Sequence, residues 1–130
     1  MTIQNQKLYM EGVWDWAILR GCFGSTKIEP TDIDGFVERK GRFLILETKK
    51  LDTPIKNGQW WTFNALRNTG LFTIIVVWGE QNTPQEMQIL YPLPYQVGQR
   101  KKAGLDELLT AVAGWFRYAD REPLSSPRRG

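Results

Sequence analysis

The stretch Pro30-Thr-Asp-Ile-Asp-Gly-Phe-Val-Glu-Arg-Lys-Gly-Arg-Phe-Leu-Ile-Leu-Glu-Thr-Lys49 decides the reading of this chain. Residues 33–39 and 43–49 have the β-branched and aromatic content of strands. Lys40-Gly41 between them is a two-residue hairpin signal. With that turn, Arg39 faces Arg42, Phe36 faces Ile45, Asp34 faces Glu47 and Asp32 faces Lys49. Side chains alternate along a strand, so Asp32, Asp34, Glu47 and Lys49 fall on one sheet face. Like charges directly opposed destabilise a cross-strand pair. The opposition of Asp34 and Glu47 makes sense if a cation lies between them, and two or three hard oxygen ligands completed by water is the usual way to hold Mg²⁺. A lysine two residues on places a positive group beside the metal, a combination suited to a phosphodiester. An exposed hairpin laced with salt bridges would use the same residue types. The difference is that Glu47-Thr-Lys49 ends the strongly apolar run Phe43-Leu-Ile-Leu46.

Working outward, residues 9–20 read as a first helix, with Tyr9, Val13, Trp16, Ala17 and Arg20 on one stripe. Residues 23–29 suit a short strand. After a Pro/Gly loop, residues 59–68 read as a helix stopped by Gly70. Residues 71–78 form a nearly unbroken β-branched run, the pattern of a strand covered on both faces. Residues 86–91 read as a further strand, 98–104 as a basic loop and 105–119 as a final amphipathic helix. This order implies an α/β fold, a central mixed β-sheet flanked by helices. Residues 1–122 are expected to form one domain and 123–130 a basic, Pro/Ser-rich tail.

Composition narrows the chemistry. The chain has 130 residues, a net charge of +3, one cysteine and no histidine. These exclude an internal disulfide, a Cys-rich zinc site and any mechanism that needs a histidine base or ligand. The charge permits a nucleic-acid partner without requiring one. No apolar run is long enough to span a bilayer and the N-terminus lacks the pattern of a signal peptide, so a cytoplasmic protein without a membrane partner is expected. Six tryptophans are many for this length. Trp60 and Trp61 could stack on bases, or pack the helix, and Arg100-Lys101-Lys102 could touch a phosphate backbone.

The segment 30–35, followed by Leu44-Ile-Leu-Glu-Thr-Lys49, resembles the PD-(D/E)xK nuclease superfamily. The resemblance spans residues 9–79 and implies a restriction-endonuclease-like αβββαβ core. It further implies a Mg²⁺-dependent endonuclease, with Mn²⁺ able to substitute, that leaves 5′-phosphates on DNA; RNA is not distinguished. The family's first acid falls on Asp34, thirteen residues before Glu47, with Asp32 as an alternative or second acid. Its Glu and Lys fall on Glu47 and Lys49, and the Thr48 carbonyl is an expected extra metal ligand. The family's helix glutamine falls on Gln59, which shares a stripe with Phe63 and Leu66. Glu11 and Asp15 are candidates for the acid that many members bring from the first helix. A chain this small presents one site to about one turn of duplex, so a double-strand cut requires a homodimer. A dimeric Holliday-junction resolvase and a catalytically idle binding module are the rival readings. Its small stand-alone size resembles proteins of phages and mobile elements in bacterial hosts.

Overall fold

The computed structural model describes residues 12–121. The chain divides into two compact units, Met1–Asp32 and Ile33–Gly130.

In the first unit the expected helix over 9–20 does not run through; residues 9–11 lie outside the described residues. From 13 onward there is one 3-10 turn, Trp16–Leu19. Asp15 sits in extended backbone and its carboxylate accepts from the Ala17 amide at 2.9 Å. A short acidic side chain that can bond the backbone ahead of it starts a turn rather than continuing one. The strand expected over 23–29 is also absent. There the Thr26 hydroxyl donates to the Phe23 carbonyl at 2.7 Å, bending the chain.

The second unit carries a five-stranded mixed sheet in the order β1-β2-β3-β4-β5. Its elements are β1 (Gly35–Arg39), β2 (Arg42–Lys49), α1 (Asn57–Arg67), β3 (Phe72–Glu80), β4 (Thr83–Leu90), β5 (Lys101–Lys102) and α2 (Leu105–Arg121). Only two strands precede α1 among the described residues, so the order there is not αβββαβ. The short β5 forms inside the expected basic loop. Among the described residues no helix is long and apolar enough to cross a membrane.

The hairpin register is the one the turn dictates: Gly35 pairs with Leu46, Phe36 with Ile45 and Arg39 with Arg42. Lys40 and Gly41 take φ of 53° and 86°, the positive pair that a two-residue turn needs to match strand twist. β2 pairs with β3 in parallel, which requires a crossover, and α1 supplies it. β3 then turns back antiparallel into β4.

Alternation sorts the apolar side chains into two layers. Ile45, Ile74, Val76, Trp78 and Leu90 pack with Phe63 of α1. Leu44, Ile75, Val77 and Met87 pack with Trp115 and Ala119 of α2 on the opposite face. β3 is therefore buried on both faces from Thr73 to Trp78, as its unbroken apolar run implies. Arg67, buried in α1, donates to the carbonyls of Tyr91 (2.6 Å) and Tyr95 (2.5 Å) and ties down the chain after β4.

β3 leaves register at a bulge between Trp78 and Gly79. Gly79 has φ of 152°, and a Cβ there would lie 2.3 Å from the Thr83 carbonyl oxygen. Only glycine fits such a site without moving backbone. Gly79→Ala is expected to lower stability by about 2 kcal/mol or more. Urea unfolding of the variant beside the parent chain checks this.

Candidate active site

The site forms where the apolar part of β2 ends. The β1–β2 ladder closes at Gly35 and Leu46, so β1 offers the Thr48 amide no backbone partner. Asp34 takes its place. Its Oδ2 accepts from the Thr48 amide at 2.8 Å and from the Thr48 hydroxyl at 3.0 Å. A carboxylate thus extends the ladder by one bond and is fixed against β2 by two donors from one residue.

Glu47 follows Ile45 on the face covered by α1. It is half-buried because the row it belongs to is buried. From the first turn of α1, Gln59 donates Nε2 to Glu47 Oε1 at 3.3 Å. The carboxyl of Glu47 is pushed above the ordinary glutamate value, first by burial and then by the charge of Asp34; Lys49 and the Gln59 hydrogen bond pull it partly back. Lys49 is on the same face two residues on and makes no ion pair among the described residues. Glu47, Lys49 and Gln59 come from the strand and helix expected to supply them, whereas Asp34, expected inside the first strand, stands just before β1 and is tied to β2 through Thr48.

Asp32 lies outside β1, in the first unit, so the ladder does not pair it with Lys49. Asp15 caps the 3-10 turn of that unit. Glu11 lies outside the described residues, as does the tail 123–130. Trp60 packs against the α1-side core, whereas Trp61 is 72% exposed. Lys101 and Lys102 are exposed on β5.

Arg100 is held by partners of its own. It pairs with Glu86 and donates to the Leu51 carbonyl, each at 2.5–2.6 Å, and its Cζ sits 3.9 Å from the Trp78 ring centre. Trp78 Nε1 donates to the Thr53 carbonyl at 2.6 Å. Together they pin the connection between Lys49 and α1. Neither the clasp by the Thr48 side chain nor this pinning was expected from the sequence. The helical spacing of Trp60, Phe63 and Arg67 was the available signal that Trp60 faces the core.

Among the described residues no three His, Cys, Asp or Glu side chains gather as a metal cage. Two carboxylates, Asp34 and Glu47, are near enough for the charge of one to raise the proton affinity of the other. The Oε1 of Gln59 beside them is buried with no hydrogen-bond partner. Mg²⁺ is commonly bound by one or two carboxylates, with waters and substrate oxygens filling its octahedron. Asp34, Glu47 and the Thr48 carbonyl are the oxygens here that would hold such an ion. No protein-family model, curated protein or solved structure matches the chain.

The raised Glu47 carboxyl has a consequence for stability. The folded state holds this proton more tightly than the unfolded chain, so Glu47 costs stability as pH rises from the ordinary glutamate range through the folded value. Glu47→Gln removes the charge and keeps the shape. Without metal, its melting temperature is expected to exceed the parent's by a few degrees at pH 7–8, with the gap closing below about pH 4. Thermal unfolding in EDTA across that range checks both the sign and the slope.

Proposed function

We propose that this chain is a Mg²⁺-dependent endonuclease of the PD-(D/E)xK type, hydrolysing phosphodiester bonds of DNA. The observation that carries the reading is the half-buried Glu47, held beside Asp34 with Lys49 and Gln59 on the same face. A stability-optimised protein would not keep two mutually repelling carboxylates at the end of an apolar strand. A divalent cation gives their proximity a purpose.

In this reading Asp34 and Glu47 hold the metal, with the Thr48 carbonyl as a third oxygen. The bound ion supplies Lewis acidity to the scissile phosphate and a more acidic water. The Thr48 amide and hydroxyl fix Asp34 on one oxygen, leaving the other for the ion. Lys49 orients the attacking water and offsets the charge that develops on the phosphate. Gln59 steadies Glu47, and its place in the first turn of α1 puts it where a phosphate would meet the helix. That turn contains no acid, and its N-cap, Lys56, makes no side-chain cap, so the unpaired amides at this end favour an anion. The arrangement departs from the superfamily's expected order in having only two strands before α1 among the described residues.

Cleavage of supercoiled plasmid in Mg²⁺ or Mn²⁺ tests the proposal. Asp34→Ala, Glu47→Ala and Lys49→Ala are each expected to slow cutting by about 10²-fold or more. Loss of cutting in EDTA should match. Wild-type protein that cuts neither plasmid nor a four-way junction would overturn it. Thr48→Val keeps the strand and the carbonyl but removes the hydroxyl bond to Asp34. It is expected to cut about tenfold more slowly, with part of the loss recovered at higher metal concentration.

A further inference from the structure

Beside the carboxylates, on the same sheet face, lies an open cleft of about 270 Å³. Trp60 and Ile55 line it from α1 and the loop before it, Trp78 and Gln88 from the sheet, and Arg100 from the segment before β5. It adjoins the candidate site directly: Trp78 is the register partner of Lys49 across the parallel β2–β3 pair, about 4.8 Å away strand to strand. A cleft this size is below the range of drug-sized ligands and suits one flat ring system.

Its base is unusual for a basic surface. The Trp78 indole is 1% exposed and carries the Arg100 guanidinium over its ring. Glu86 and the Leu51 carbonyl take the guanidinium's edge donors and hold the plane in place. Glu86 also cancels its charge, which removes most of its value as a phosphate clamp. What remains is a planar, pre-ordered surface with one face on the indole. Arginine planes and aromatic rings are the platforms on which proteins stack unpaired bases. Polar edges are at hand. Gln88 uses its Nε2 on the Gly98 carbonyl, leaving Oε1 as an acceptor, and the Asn57 side chain at the rim makes no hydrogen bond among the described residues.

We propose that this cleft binds a single unpaired nucleobase, stacked on the Arg100–Trp78 platform with Trp60 as a side wall. The site would thereby favour nucleic acid carrying a bulged, flapped or single-stranded nucleotide next to the cut over continuous duplex. The choice of ligand rests on the nucleic-acid reading of the neighbouring carboxylates. A base within duplex cannot enter a cleft of this kind without leaving its stack.

The test measures binding in EDTA, where no cutting occurs. The probes are a duplex with one bulged 2-aminopurine, the same duplex with that base paired, and free 2-aminopurine riboside. Wild-type protein should bind the bulged probe about tenfold more tightly than the paired one, with a change in 2-aminopurine emission. Arg100→Lys keeps the charge and loses the plane; Trp60→Leu keeps apolar packing and loses the wall. Both should shrink the preference to less than about threefold. If Arg100→Lys does not fold, Trp60→Leu decides alone. Equal affinity for bulged and paired probes, or a preference untouched by the variants, would overturn the proposal. Riboside binding as tight as the oligonucleotide would overturn its polynucleotide half. A retained preference without metal-dependent cutting would refute the nuclease reading and leave the base site standing; cutting without preference would do the reverse.

Discussion

The interior position of β2, between β1 and β3, is the constraint from which the site follows. Its run Phe43-Leu-Ile-Leu46 is apolar on both faces because α1 covers one and α2 the other. A strand has a period of two, so the residue after Leu46 must share the face of Ile45. That residue is Glu47. It enters the α1-covered row as a carboxylate, and burial together with Asp34 raises its proton affinity. Moving the charge to solvent would require a one-residue slip that would also expel Ile45 and bring Leu44 and Leu46 onto the wrong face. Core and site are thus fixed by one register.

The same register organises what surrounds Glu47. The hairpin sets Asp34 against Thr48, and the parallel β2–β3 pair forces the crossover that delivers Gln59. The far face has a different task. There α2 closes the core with Trp115 and Ala119, and Arg39 and Lys40 bind Asp120 near the end of that helix. Their donors hold the Asp120 carboxyl below its ordinary range. That face reads as scaffold, and the polar groups of the α1 face converge on β2.

Legibility in the sequence followed the strength of local rules. Lys40-Gly41 announced the turn because few residue pairs accept positive φ twice, and the hairpin register from Arg39–Arg42 to Gly35–Leu46 came with it. The β-branched run of β3 announced a strand buried on both sides. The stripe from Leu105 announced α2. Where two local rules competed, reading failed. The apolar stripe over 9–20 argued for a helix, yet Asp15 caps a turn inside it. The basic segment before α2 read as loop, yet two of its residues find a strand partner in β4. Arg100 looked like a phosphate contact because its partners, Glu86, Leu51 and Trp78, are distant in sequence; composition cannot show that a charge is already matched. Asp32 was placed by extending a ladder that stops earlier. The Thr48 hydroxyl has no local signal, since its partner Asp34 is fourteen residues away.

Direct measurement of metal binding tests the central claim, that Asp34 and Glu47 together hold a divalent cation. Titrating Mn²⁺ into the metal-free chain and following its paramagnetic resonance counts bound ions without depending on any substrate. One ion per chain is expected, lost or weakened at least about tenfold in both Asp34→Asn and Glu47→Gln. No bound Mn²⁺ at millimolar concentrations, or binding unchanged in those two variants, would contradict it.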